Sequence, residues 1–185
     1  MALPPARRDQ LARLVRERGY ERRSEPFRLS SGATSHDYVD VRRAVASGAA
    51  LREVAEAMLE VVGSDWDLIG GPTMGADPLA HAVALLADKS WFSVRKAPKG
   101  HGRGQWVEGG ELGPGDRVLA VEDTVSTGAS LLGASERITG TGATVVAATV
   151  VLDRSPVVAA RFEAAGVAWL PLLTWEDLGI EPLAG

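Results

Sequence analysis

The chain has 185 residues with 24 acidic and 20 basic side chains (net charge −4), is 45% hydrophobic and 24% charged, and contains no cysteine. This composition fits a globular protein with a sizeable core and gives no sign of a nucleic-acid or membrane binder; the lack of cysteine excludes disulfides, thiolate zinc sites and cysteine nucleophiles. Met1 to Gln10 has no apolar secretory core and no segment approaches about 18 uninterrupted apolar residues, so the expectation is one domain over 1–185, in a cytoplasmic enzyme.

Residues 4–18 place Leu11, Leu14 and Val15 on one face among arginines, which predicts an amphipathic helix stopped by Gly19. Weak alternation from Phe27 to Val41 around a Ser31-Gly32 turn predicts a short antiparallel hairpin outside the main sheet. A helix follows over Leu51 to Val62. Strands are then expected at Trp66–Ile69, Trp91–Val94, Val118–Val121, Thr144–Leu152 and Val167–Leu170, with helices at about 77–87, 130–139 and 156–165. This alternation predicts an α/β fold in which a central parallel sheet carries helices on both faces. Ligands of such sheets bind at the carboxyl ends of strands, so the loops at 70–75 and 122–130 and the pair Asp153-Arg154 should open on one edge.

The stretch Val118 to Ser130 carries the strongest chemical signal. An apolar run ends in Glu122 and Asp123, where the strand is expected to stop, and turns through Thr124, Val125, Ser126, Thr127, Gly128 and Ala129 into a helix. Backbone N–H groups between Thr124 and Ser130 would favour an anion; Thr127 and Ser130 add hydroxyl donors, and Gly128 allows close approach. An ordinary strand–loop–helix connection with hydroxyl caps would look similar. The acid pair beside the cradle favours a phosphorylated sugar, whose hydroxyls two carboxylates can accept.

Between the second and third strands, Arg95 to Gly115 holds seven glycines and gathers Arg95, Lys96, Lys99, His101 and Arg103 before its first acid, Glu108. Loops of this length in compact domains are commonly lids, and a mobile basic lid over 95–115 can close on a polyanion. The alternative is a solvated loop. His36 and His81 lack neighbours at metal-ligand spacing, the five tryptophans form no stripe, and Glu53, Glu56 and Glu60 read as a solvated helix face.

Taken together, four ordered motifs resemble the orotate phosphoribosyltransferases among the type I phosphoribosyltransferases. Glu122 to Ser130 is similar to the 5-phosphoribosyl-1-pyrophosphate (PRPP) motif, and Val94-Arg-Lys-Ala-Pro-Lys-Gly-His-Gly102 to the catalytic loop. Gly70 to Ala80 resembles the pyrophosphate loop, with Pro72, Thr73, Met74 and Gly75 at its turn, and Leu152-Asp-Arg154 resembles the Asp-Arg pair after the next strand. The resemblance covers about residues 27–154, with a small N-terminal hood at about 20–45.

It implies PRPP contacts from Arg95, Lys96, Lys99, His101 and the 122–130 segment, and ribose-hydroxyl contacts from Glu122 and Asp123. Orotate would meet Ser126 and Arg154, and Lys99 and Asp123 would be tied most closely to the chemical step. It also implies Mg2+ carried mainly by PRPP with no side chain assigned as a metal ligand, and a homodimer whose catalytic loops are shared between subunits. Ser30, Ala33 and Asp37 depart from the family pattern, which has a basic residue in the Ser-Gly segment and paired aromatics near position 38. A transferase for another base, or a non-catalytic PRPP-binding regulator, are the alternatives; the first should lack the lid and Asp-Arg motifs and the second the lid.

Overall fold

The computed structural model describes residues 2–28, 32, 34–98 and 106–183. Helix α1 (Pro5–Gly19) runs straight into the antiparallel pair β1 (Tyr20–Arg28) and β2 (Thr34–Val39), followed by a short α2 (Val41–Ala44) and a long α3 (Gly48–Val62). Then come β3 (Leu68–Pro72), α4 (Ala76–Ala87), β4 (Ser90–Val94), β5 (Val107–Gly109), β6 (Arg117–Val125), α5 (Ala129–Thr139), β7 (Thr144–Asp153), α6 (Val158–Ala164) and β8 (Ala168–Thr174). The last six strands make one sheet in the order β5-β4-β3-β6-β7-β8, parallel except where β5 joins β4.

The sheet is covered on both faces, and β6 shows why its sequence reads as a continuous apolar run. Val118 and Ala120 join a core with Leu131 and Ile138 of α5 and Phe162 of α6. Leu119 and Val121 point the other way, into a core with Val54 and Met58 of α3 and Leu79 and Val83 of α4. Successive side chains of a strand alternate between faces, so a strand buried on both sides must be apolar at every position.

Six expectations are corrected. The strand carrying the acid pair does not stop at Glu122: β6 continues to Val125, paired with β7 through Thr124↔Leu152 and Val125↔Asp153. The long neighbour β7 supplies ladder partners whatever the side chains are, so the polar end remains strand. Likewise β3 starts at Leu68 and runs through Gly70 and Gly71 to Pro72, while Trp66 precedes it, buried, with its indole N–H donated to the Gly63 carbonyl at 3.0 Å. The last strand does not end at Leu170 but passes Pro171 to Thr174, which an edge strand tolerates because one row of its N–H groups has no partner to lose.

The fourth correction concerns the lid. Residues 107–109 of the expected 95–115 loop are strand, with Val94↔Val107 paired and the Gly110 N–H donated to the Trp91 carbonyl at 2.9 Å. Three residues ending in glycine show no alternation, and only the open edge of β4 makes them a strand. The hood hairpin also begins earlier than Phe27, at Tyr20; its first strand is exposed on both faces along most of its length and so carries no hydrophobic pattern. Finally, Glu56 and Glu60 are not merely solvated, since both lie 3.6 Å from the Arg7 guanidinium of α1.

Candidate active site

The carboxyl ends of β3, β4, β6 and β7 open into two cavities that share Arg42, Asp123 and Thr124. The larger, about 670 Å³, is walled by Pro72, Thr73, Met74 and Gly75 on one side and Arg95 and Lys96 on another. Glu122, Asp123 and Thr124 form its floor, and Ala129 and Ser130 begin the helix beyond. The smaller, about 370 Å³, lies between Ser126 and Arg154 and the hood residues Phe27, Arg28, Tyr38 and Val39.

Local geometry explains how these groups meet. The Thr73 N–H is donated to the Val94 carbonyl at 2.9 Å, and the Ser93 hydroxyl to Asp77 at 2.7 Å, so the turn after β3 is tied to β4. The Thr73–Met74 peptide is cis. A Cβ on Gly75 would lie 2.6 Å from Asp123 Oδ1 and 2.7 Å from Glu122 Oε1, so any larger residue would push the acid side chains from their places. Gly128 has φ +78° at the start of α5, and a Cβ there would meet Val158 at 2.7 Å, so its glycine serves the left-handed turn and the packing of α6.

The two acids differ. Glu122 is 7% exposed, and burial together with the neighbouring Asp123 pushes its carboxyl up to about 9. At neutral pH it is therefore protonated and able to donate a hydrogen bond. Asp123 faces the Arg42 guanidinium at 3.9 Å. Among the described residues, the buried Thr124 hydroxyl and Arg154 Nε at the smaller cavity have no hydrogen-bond partner. An unpaired buried polar group costs about 1–3 kcal/mol, which a polar ligand would relieve.

The Glu122 shift predicts a pH dependence of stability. Its folded pKa lies above the usual 4.5, so between about pH 4.5 and 9 the folded chain holds a proton that the unfolded chain has lost, and stability falls as pH rises through that window. Glu122→Gln removes the effect. Between pH 6 and pH 8 the native chain should lose about 2–3 kcal/mol more than this variant, at about 1.4 kcal/mol per unit, in urea melts at the two pH values.

Comparison with known proteins follows this geometry closely. The model of the phosphoribosyl transferase domain family matches residues 42–161. The orotate phosphoribosyltransferase of Methanothermobacter thermautotrophicus is 39% identical over 170 residues, covering 92% of this chain and 93% of that protein. The enzyme of that name from Streptomyces avermitilis is 42% identical over 160 residues, covering 83% and 87%. The chain belongs to the orotate phosphoribosyltransferase family. A crystal structure of the Mycobacterium tuberculosis orotate phosphoribosyltransferase in complex with PRPP superposes with a TM-score of 0.76 at 36% identity, covering 94% of this chain and 99% of that one.

Against the residues that the family resemblance singles out, the larger cavity brings together Pro72, Thr73, Met74, Gly75, Arg95, Lys96, Glu122, Asp123, Thr124, Ala129 and Ser130, and the smaller brings Ser126 and Arg154 to Asp123 and Thr124. Val125, Thr127 and Gly128 line neither. Val125 is buried in the core, its carbonyl accepting the Arg154 N–H at 2.8 Å, and the Thr127 carbonyl accepts from Arg161 at 3.0 Å. Arg95 lines the cavity with its guanidinium paired to Glu108 at 2.7 Å. Lys99 and His101 lie outside the described residues, as do Ser30 and Ala33. The motifs did not point to Arg137, which stands one helical turn beyond Gly133 and two beyond Ala129 on the same face of α5, its guanidinium 3.9 Å from the Trp106 ring centre. That i, i+4 spacing was the available signal.

Proposed function

We propose that the larger cavity takes PRPP and the smaller takes orotate, and that the chain transfers ribose 5-phosphate to the base, giving orotidine 5′-monophosphate and pyrophosphate in pyrimidine biosynthesis. The observation that carries this is the shared wall: Asp123 and Thr124 border both a cavity lined by cations and a cavity holding a buried arginine whose Nε has no partner among the described residues. A sugar placed across that wall has its anomeric carbon between leaving group and base.

In this reading the base nitrogen attacks the anomeric carbon as the bond to pyrophosphate breaks, and the electron pair leaves with the pyrophosphate. Arg95, Lys96, Lys99 and His101 meet the charge that develops there. Asp123 accepts a ribose hydroxyl. Glu122, protonated, donates to a ribose oxygen. The turn from Ser126 to Ser130 holds the 5-phosphate through backbone N–H groups and the hydroxyls of Thr127 and Ser130. Mg2+ fits as a passenger of PRPP, since Glu122 and Asp123 present hard oxygen atoms at the cavity wall, and it supplies neutralisation of the pyrophosphate when bound.

We also assign a homodimer. Leu85 is 81% exposed and Met74 68%, and around Leu85 the side chains of Leu51, Pro78, Ala82 and Leu86 border an apolar hollow of about 320 Å³. A patch of this kind is suited to a second copy of the chain. One domain over 1–185 and a cytoplasmic location belong to the same proposal. Among the described residues no helix is long and apolar enough to cross a membrane.

The test is a panel of free bases with PRPP and magnesium, read by pyrophosphate release. Orotate should react at least about tenfold faster than adenine, guanine, hypoxanthine or uracil, which needs only about 1.4 kcal/mol of discrimination. A purine ahead of orotate would overturn the base assignment. Binding of PRPP with no turnover of any base would favour a regulator.

A further inference from the structure

Arg154 is 2% exposed, and its place in the base cavity is set from the hood rather than from its own strand. The shortest bond of its guanidinium goes from Nη1 to the backbone carbonyl of Asp37 at 2.9 Å; Nη2 makes longer ones to the Ser35 hydroxyl at 3.3 Å and the Glu181 carbonyl at 3.4 Å. The orientation of this guanidinium therefore depends first on the orientation of one peptide group in β2.

That peptide lies where the hairpin ladder fails. β1 and β2 pair at Arg22↔Asp37 and again at Phe27↔Ser35, so four residues, 23–26, bulge opposite the single residue His36. Backbone pairing cannot hold the strand across such an irregularity. Side-chain bonds stand in for it. The Asp37 carboxylate, 4% exposed, accepts from the Tyr20 hydroxyl at 2.9 Å and from Arg22 Nη1 at 2.9 Å, both on the last paired stretch before the bulge. The Asp37 N–H, in the preceding peptide unit, is donated to the Ser35 hydroxyl at 3.0 Å, and that hydroxyl is donated to the Asp37 carbonyl at 3.3 Å, so Ser35 braces the carbonyl that Arg154 meets.

We propose that Asp37 is a positioning residue for base recognition: its carboxylate, clamped by Tyr20 and Arg22, sets the peptide that aims Arg154 into the base cavity. This rests on the assignment of the smaller cavity to the base. The bulge leaves this part of β2 without regular backbone pairing, and the charged clamp takes its place.

The experiment measures orotate and PRPP dissociation constants by calorimetry, each ligand separately, with the pyrophosphate-release assay alongside. Asp37→Ala should weaken orotate about tenfold and PRPP less than about twofold, while Asp37→Asn, which keeps an acceptor for Tyr20, should stay within about threefold of the native chain for orotate. In an Arg154→Ala background, Asp37→Ala should cost at most about a further twofold, because the group it aims is gone. Independent, multiplicative losses, or equal weakening of both ligands, would overturn the proposal. If Asp37→Ala does not fold, Tyr20→Phe removes one bond to the same carboxylate. A loss of orotate affinity of about two- to fivefold with PRPP unchanged supports the clamp, and unchanged orotate affinity overturns it. Failure of the native chain to bind orotate would instead fault the base assignment, and the two failures are told apart on the native protein alone.

Discussion

Lys99→Ala should lower kcat by about 10²–10³ in a protein that stays folded, the scale of losing one preorganised charge contact worth about 3–4 kcal/mol at the departing pyrophosphate. The same residue tests whose site the loop serves. The pairing of Val94 with Val107 closes the loop to about a dozen residues, so its tip reaches at most about 20 Å from its feet at about 3.3 Å per extended residue. That is enough to cross a subunit boundary only where the boundary lies beside the site. Asp123→Ala should also be poorly active, for a different reason: its own cavity no longer holds the ribose.

Mixing Lys99→Ala and Asp123→Ala chains by dissociation and reassembly separates the cases. If the loop of one copy covers its partner's cavity, a mixed dimer has one complete site, with an intact cradle from one chain and an intact loop from the other. About half the dimers are mixed and each has one good site of two, so activity should recover toward about a quarter of the native level. A loop serving its own copy leaves every site defective. No recovery, with mixed dimers shown to be present, would sink the shared site and leave the chemistry within one subunit intact. Leu85→Glu should return the protein toward a monomer by placing a charge in the exposed apolar patch, measured by light scattering.

The second large effect is expected from Arg154→Ala. Orotate affinity should fall by about 30- to 1000-fold, corresponding to about 2–4 kcal/mol for a buried charged hydrogen-bonding group, with little change for PRPP. Truncation also strips the Asp37 and Glu181 carbonyls of their donor, so part of the loss comes from a loosened hood. Arg154→Lys should not rescue it, because a single ammonium cannot hold the Asp37 carbonyl and still present the planar fork that the Nε direction requires. Equal weakening of both ligands would make Arg154 a structural residue only.

Much of the site was legible because chemistry of this kind is written contiguously. The acid pair, the turn to Ser130, the basic cluster from Arg95 and the Asp-Arg pair each occupy a few consecutive residues at strand ends, and α/β topology brings strand ends to one edge. Pro171 and Val107 misled for a common reason. Their secondary structure is decided by a neighbouring strand with bonds to offer, which no local pattern records.

By itself the sequence determined the α/β class, the order of strands and helices, the edge at which ligands bind and the cluster of acids and cations that meet there, because periodicity and turn residues are local. Tertiary structure alone decided the rest. Glu122 and Asp123 are adjacent in the chain, yet burial under the turn at Gly75, more than the neighbouring charge, raises the Glu122 carboxyl and keeps it protonated at neutral pH. Arg154 and Asp37 stand 117 residues apart, and their bond exists because the hood folds back over the end of β7. Desolvation and long-range hydrogen bonds depend on what lies across the fold, and one-dimensional order carries no record of it.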